Sequence, residues 1–361
     1  MPPCAAISAI HHGVPARRLT EVELEARFGA KQVQSIAKLS GIRERRIVEP
    51  GMTAADLAFV TADRLLKARE IPRESIDLLV VTTQTGDYQI PGTSYVLHER
   101  LGLARNCATY DLNQGCAAYP YALALAQGWF ATGVATRALV LNTDALSGII
   151  HPQDRTLVTL HGDGAVATLL DAATGEEGLR GFHFGTDSSG WRYLCMPASG
   201  ARQPRDEHTR REIADETGCV RTAEHFQMNG QAIFHFAIHQ VPEVITAALA
   251  KFKITVADLD LVILHQANRF MIEQIYKKLG VPVEKQFLYL ENIGNLSGAA
   301  TPAVLSEAVR QGRVKPGAMI LLASFGVGLS WGVALVRVGS GGLAPVDAAT
   351  DVTLTDLEKK S

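Results

Sequence analysis

Apolar residues along this chain fall into two patterns. Short runs of strand length recur at Ile76 to Thr83 (IDLLVVTT), Ala138 to Asn142, Ala165 to Leu170 and Ala318 to Ala323. Where such a run is continuous rather than alternating, as in Ile76 to Thr83, the strand is covered on both faces, which predicts an α/β layered fold. Between the runs lie helical stretches: a polar one around Thr20 to Phe28, an amphipathic one from Thr53 to Ala68 with Thr53 as its cap, and one from Gln231 towards Phe252. Ala5 to Val14 reads as a first strand and turn. Gly41-Ile42-Arg43-Glu44-Arg45-Arg46-Ile47 reads as a charged, solvated strand edge, and Ser199 to Arg221 as a polar excursion over the surface. The Gly/Ser/Asp/Lys-rich tail beyond Val338 is expected to pack poorly.

The pattern repeats. Ile76 to Thr83 is echoed by Leu259 to Gln266, and each run leads into a helix ending in Leu-Gly, at Leu101-Gly102 and Leu279-Gly280. A strand and a Gly/Asn turn into a small-residue helix follow in both places. The first turn is Gln114-Gly115-Cys116-Ala117-Ala118, whose helix runs to about Phe130; the second is Gly294-Asn295-Leu296-Ser297-Gly298-Ala299-Ala300. Matching strands come next, and Gly162-Asp163-Gly164 is mirrored by Gly326-Val327-Gly328. A repeat of half the chain is a duplicated domain with pseudo-two-fold symmetry. It divides the chain into an N-terminal half (1–175), a C-terminal half (176–340) and a polar tail (341–361), with the seam at Asp171 to Gly181. The repeat places Cys116, His265 and Asn295 at strand ends or turns near the pseudo-axis, where open α/β sheets hold ligands.

Composition narrows the classes. Of 361 residues, 47% are hydrophobic and 20% charged, as in a compact globular protein, and a net charge of −2 without blocks of like charge argues against nucleic-acid binding. Five cysteines without CxxC spacing, no signal peptide and no apolar run of the ~20 residues needed to span a bilayer point to a reduced, cytoplasmic enzyme. His11-His12 and the pair His235/His239 lack a third ligand, so no metal site is expected. Gly162-Asp163-Gly164 reads as a close-packed turn. Cys116, the first side chain after a glycine at a helix start, faces unpaired N–H groups and the positive end of a dipole, which favours thiolate. Taken alone, Cys116 also fits a structural thiol, His265 a core histidine and Asn295 a turn residue.

Several pieces together resemble the ketoacyl synthase III family of thiolase-fold condensing enzymes. They are Gly41-Ile42-Arg43-Glu44-Arg45, the Cys116 turn, Asp154-Arg155-Thr156, Gly162-Asp163-Gly164, His265-Gln266-Ala267-Asn268, Gly294-Asn295 with Ser297, and Val314-Lys315-Pro316-Gly317. The resemblance implies duplicated βαβαβ halves layered α-β-α-β-α and a catalytic triad of Cys116, His265 and Asn295. It implies an oxyanion hole from the backbone of Cys116 and Val327, with Phe325 packed over the cysteine. It also implies substrate contacts from Arg155, Arg269 and Asn268, and a loop around Ile90 that crosses a homodimer to the partner's acyl pocket. The expected reaction loads an acyl group from acyl-CoA or acyl-carrier protein onto Cys116 and condenses it with a malonyl thioester, without a cofactor. The alternatives are acyl transfer to an O, N or S acceptor by the same triad, and a silent partner subunit. The chain departs from the family where a Trp and an Arg usually clamp the adenine of coenzyme A, since Ser35 and Leu39 stand there. The arginine usually found after HQAN is displaced as well, with Arg269 following at once and Phe270 next. These changes imply an acyl donor other than acetyl-CoA.

Overall fold

The computed structural model describes residues 4–173 and 175–358. In the first half, β1 (Cys4–Pro15) is followed by α1 (Glu21–Phe28), α2 (Ala30–Ser40), α3 (Ala54–Ala68), β2 (Leu78–Thr82), α4 (Thr93–Leu101), β3 (Ala108–Leu112), α5 (Ala118–Ala131), β4 (Arg137–Asp144) and β5 (Gly164–Ala173). The second half runs β6 (Gly178–Thr186), α6 (Gly230–Phe252), β7 (Leu261–Leu264), α7 (Arg269–Leu279), α8 (Ala300–Arg310), β8 (Met319–Gly326) and β9 (Ser330–Arg337), and β10 (Asp351–Val352) follows.

Sheet one has the order β10-β1-β5-β4-β2-β3, and sheet two the order β7-β8-β9-β6. The duplication is visible in these orders. β1-β5-β4-β2 pair antiparallel, antiparallel, parallel, and so do β6-β9-β8-β7. The counterpart of β3 is reduced to one parallel bridge, Val262 to Gln286, where a full strand was expected. Chain order explains the match: each half builds the same sheet, β5 closing the first and β6 opening the second.

The core is stacked in five layers. Buried residues of α5 and α8, among them Tyr119, Leu123, Phe130, Val304 and Leu305, pack between the two sheets. Helices α3 and α4 cover the outer face of sheet one, and α6 and α7 that of sheet two. Both faces of each sheet are thus covered, the physical reason the central strands read as unbroken apolar runs. Truncating Phe130, fully buried in the middle layer, would cost about 3–5 kcal/mol.

Four expectations need correction. Arg45 and Arg46 are buried, not a solvated edge: Arg45 donates to Leu19 O (3.4 Å) and Thr159 O (2.9 Å), and Arg46 to Pro15 O and Asp351 Oδ1 (both 2.8 Å). Carbonyls and one carboxylate replace part of the water these guanidinium groups give up, while the Nε of each finds no partner among the described residues. The tail, through residue 358, is packed: β10 pairs parallel with β1, Val346 and Val352 enter the core under α3, and Arg64 donates to Ala349 O and Asp351 O. Ala138 to Asn142, whose near lack of charge suggests a free sheet edge that a second copy would cover, lies inside the sheet instead, and β3 stands at its edge. Finally, α6 is long and apolar enough by composition to cross a membrane, although the sequence reading found no such run; here it packs as a core helix on sheet two.

Candidate active site

The site forms where the turns of the two halves meet. After β3, Gln114 leads into a 3-10 turn, Gly115–Ala117, which continues as α5. Gly115 has φ +52°, and a Cβ there would lie 2.8 Å from Val327 Cβ and 2.9 Å from Gln84 Oε1, so this position needs glycine on both counts. Cys116 is held next, tightly against the second half: a Cβ on Gly326 would come within 3.0 Å of its sulfur.

His265 follows the C-terminal end of β7, its backbone N–H donating to Ala323 O (2.8 Å). The neighbouring residues of HQAN fix the turn. Gln266 bonds Leu264 O and accepts from Tyr289 N–H, while Asn268 Oδ1 caps α7 by accepting from Met271 N–H (2.8 Å). Asn295 Oδ1 accepts from Ser297 N–H (2.9 Å), which leaves its amide NH₂ as the free end.

Cys116, His265, Asn295, Asn268 and Phe325 all line one cavity of about 240 Å³, otherwise largely apolar, with Leu146, Leu194, Phe226, Met228 and Phe236 in its wall. Phe325 stands edge-on to the His265 ring at 5.6 Å between centroids. A larger open groove of about 1150 Å³ is lined by none of Cys116, His265 and Asn295. It joins the cavity at Gln84, Leu146, Leu194 and Phe226, and is walled by Val327 and the Thr83–Gly92 loop.

The electrostatics correct one expectation. Burial pushes the Cys116 thiol up to about 11, with Asp144 adding to the rise against hydrogen bonds from Ser297, from the backbone of Val327 and from its own backbone. The residue keeps some accessible surface, but that surface faces an enclosed cavity rather than bulk water. A helix end contributes at most about 2 kcal/mol, whereas full desolvation shifts a thiol by several units. Desolvation wins, and the resting form is the thiol. Burial likewise lowers His265 to about 3, so its imidazole is neutral at any working pH.

A buried carboxylate ties the second turn to the Thr83–Gly92 loop. Asp144, ending β4, accepts from the N–H of Gln84 (2.7 Å) and of Gly298 (3.3 Å), and burial raises its pKa. Gln84 Nε2 donates to Ser297 Oγ (2.9 Å), and that hydroxyl stands 3.7 Å from Cys116 Sγ. Sequence reasoning missed Asp144, Ser297 and Gln84 as a group; the one signal was a lone acid ending an apolar strand. It also missed His161, which lines the cavity and which no spacing marks out.

Other anticipated residues lie elsewhere. Arg155 faces the surface, bonded to Gln32 and to Thr217 O. Arg269 pairs with Glu291 (3.3 Å) beside Arg43 and Lys38 in a separate surface hollow. Ser35 and Leu39 are exposed on α2. Phe270 stacks on Phe234, a cavity residue, at 5.9 Å and 9°. Ile90 projects into solvent, 89% exposed. Among the described residues no His/Cys/Asp/Glu cluster could hold a metal.

This arrangement has counterparts. Residues 110–188 match the family model of 3-oxoacyl-[acyl-carrier-protein (ACP)] synthase III, and residues 249–338 that of its C-terminal part. The beta-ketoacyl-[acyl-carrier-protein] synthase III of Caldanaerobacter subterraneus subsp. tengcongensis is 33% identical over 90% of this chain and 95% of its own length. That of Desulfitobacterium hafniense (strain Y51) is 35% identical with the same coverage. A crystal structure of a 3-oxoacyl-(acyl-carrier-protein) synthase III superposes with a TM-score of 0.90 at 37% identity, over 93% of this chain and all of that one. With a thiolase-like duplicated fold and a likeness that runs through both halves, this chain belongs to the beta-ketoacyl-[acyl-carrier-protein] synthase III family of condensing enzymes.

Proposed function

We propose that Cys116 takes an acyl group from a CoA or carrier-protein thioester and that the cavity condenses it with a malonyl thioester to a 3-oxoacyl thioester. The observation that carries this reading is the convergence of Cys116, His265 and the Asn295 amide on one largely apolar cavity. In loading, the Cys116 sulfur forms a bond to the acyl carbon, the donor's C–S bond breaks, and the cysteine proton ends on the departing thiol. The N–H groups of Cys116 and Val327, already directed at the sulfur, suit the oxyanion that forms in between.

For the second step the neutral His265 matters. Its Nδ1 is buried without a hydrogen-bond partner among the described residues, and a buried orphan N–H is rarer than a bare nitrogen. We assign the proton to Nε2, so that Nε2–H and the Asn295 amide donate to the malonyl thioester oxygen as CO₂ leaves. The enolate carbon then attacks the acyl carbonyl and Cys116 departs as thiolate. Phe325 keeps water from the imidazole. Donor-binding roles are not assigned to Arg155 and Arg269, which lie outside the cavity; Asn268 remains a candidate at its wall.

Intact mass after incubation with an acyl thioester, with and without malonyl thioester, tests this. An adduct on Cys116 that clears only with the malonyl donor is the expected result. Clearance by plain O, N or S nucleophiles would favour simple acyl transfer, and no adduct would sink both.

We also propose a two-fold homodimer. Strand β3 is an uncovered edge, and Tyr88, Ile90, Tyr95 and Tyr110 are large exposed side chains on it or on the α4 and Thr83–Gly92 segments beside it. An open edge flanked by apolar side chains calls for a cover, and a second copy supplies one. Sedimentation should give twice 38.9 kDa, and Ile90→Asp should keep the fold but weaken loading; an active monomer would exclude the arrangement.

A further inference from the structure

His161 stands in the cavity without a part in the steps above. Its backbone forms a parallel bridge with Asn295, locked by Asn295 N–H to Leu160 O (2.9 Å) and Gly162 N–H to Asn295 O (3.1 Å). Residues paired across strands turn their side chains to the same face, so the imidazole lies alongside the Asn295 amide. It is also close enough to His265 to depress that residue's pKa.

The tautomer follows from the partners. His161 Nδ1 lies 3.2 Å from Leu157 O, and a carbonyl can only accept, so the proton is on Nδ1 and Nε2 carries a lone pair. Among the described residues no protein group bonds Nε2, and it is not sealed away as the orphaned Nδ1 of His265 is. The ring meets Phe226 edge-on at 5.9 Å and 88°. A phenyl ring could fill this space and make the same contact, in a wall where Leu146, Leu160, Leu194, Met228 and Ile233 stand together with the polar Gln84, Thr156 and Ser297. His161 separates this cavity from a neighbouring hollow lined by Arg17, Ile150 and Val158, and on the Asn295 side the imidazole can add one acceptor.

We propose that His161 is a specificity-determining residue whose Nε2 accepts a hydrogen bond from a hydroxyl or N–H group on the substrate, close to the thioester carbonyl. Burial lowers His161 to about 4, so near pH 7 it offers a lone pair and no positive charge; a carboxylate is not its partner. The donor group belongs either to the acyl chain on Cys116 or to the second thioester, at the carbon next to its carbonyl. The proposal rests on the condensing reading of this site.

The experiment uses the full chain and paired substrates that differ by one hydroxyl. One arm compares butyryl with 3-hydroxybutyryl thioester as primer. The other compares malonyl with hydroxymalonyl thioester against a fixed primer. Wild type should favour the hydroxylated member of one pair, and His161→Phe should reduce that ratio of kcat/KM by tenfold or more, chiefly through KM. His161→Gln, which keeps an acceptor, should restore part of it. If Phe prevents folding, His161→Leu carries the same comparison. A ratio unchanged by the substitution in both arms, or no preference in wild type, overturns the proposal. Failure of the condensing reading looks different: no 3-oxoacyl product forms from any pair, whereas primer preference remains readable as competitive loading by intact mass.

Discussion

The two turns that meet at the pseudo-axis have almost the same backbone and divide the chemistry between them. Asn113-Gln114-Gly115-Cys116-Ala117-Ala118 in the first half corresponds to Asn295-Leu296-Ser297-Gly298-Ala299-Ala300 in the second. Both pass through a left-handed residue, Gly115 at φ +52° and Ser297 at φ +53°, into a 3-10 turn and then a helix. Where the first turn has Cys116, the proposed nucleophile, the second has Gly298, whose N–H is held by Asp144. Where the second has Asn295 in the smaller cavity, the first has Asn113 in the open groove. The same turn thus presents a side chain from its fourth position in one copy and from its first in the other. A serine in the left-handed position costs more than glycine, of order 1 kcal/mol. That cost is consistent with a hydroxyl retained for its place 3.7 Å from the sulfur.

The largest way to break this asymmetry is Cys116→Ser. A thiol raised to about 11 still supplies a small thiolate fraction near pH 7, whereas an alcohol in the same cavity supplies essentially none, so no acyl adduct should appear by intact mass over a period that saturates wild type. The pH dependence tests the same residue without mutation. With the thiol raised to about 11, alkylation by iodoacetamide should climb about tenfold per unit from pH 7 to 10, roughly a thousandfold in all, without levelling. A plateau by pH 8 would mean that the N–H groups outweigh desolvation.

Next in size are Asn295→Ala and His265→Ala. Each should leave loading in place and slow malonyl decarboxylation by about 10²–10³, roughly 3–4 kcal/mol per donor. Asn113→Ala, the same change in the other copy, should alter decarboxylation less than threefold; an equal loss would show that the two asparagines do not differ in role. The smallest effect is expected from Ser297→Gly, which makes the second turn like the first. Losing the hydroxyl should slow loading by about five- to tenfold, in line with one hydrogen bond of ~1 kcal/mol, with little change in melting temperature. Unchanged loading would reduce Ser297 to a spacer.

The layered fold was legible because both sheets are covered on both faces, so that a run such as Leu78 to Thr82 carries no alternation to mistake for something else. That Cys116, His265 and Asn295 come together was legible because each ends or follows a repeated element. Contacts that join distant segments were not. His161 reads as part of a glycine turn until its bridge to Asn295 is seen. Arg45 and Arg46 look solvated because the carbonyls that satisfy them come from segments far along the chain. The thiolate expectation failed for a related reason: a helix start is visible in a sequence, but the enclosure that strips water from the sulfur is not.

The short strand β10 gives the assembly an order in time. It lies against β1, the first strand of the chain, yet it is made only after the whole second half. During synthesis, then, the outer border of the first sheet stays open, and Arg46 lacks its Asp351 partner, until that segment emerges. The N-terminal half expressed alone would carry that border and the opposite one at β3 unpaired, a piece with two sticky sides. Supplied in trans, a peptide spanning 346–357 has a defined seat on it.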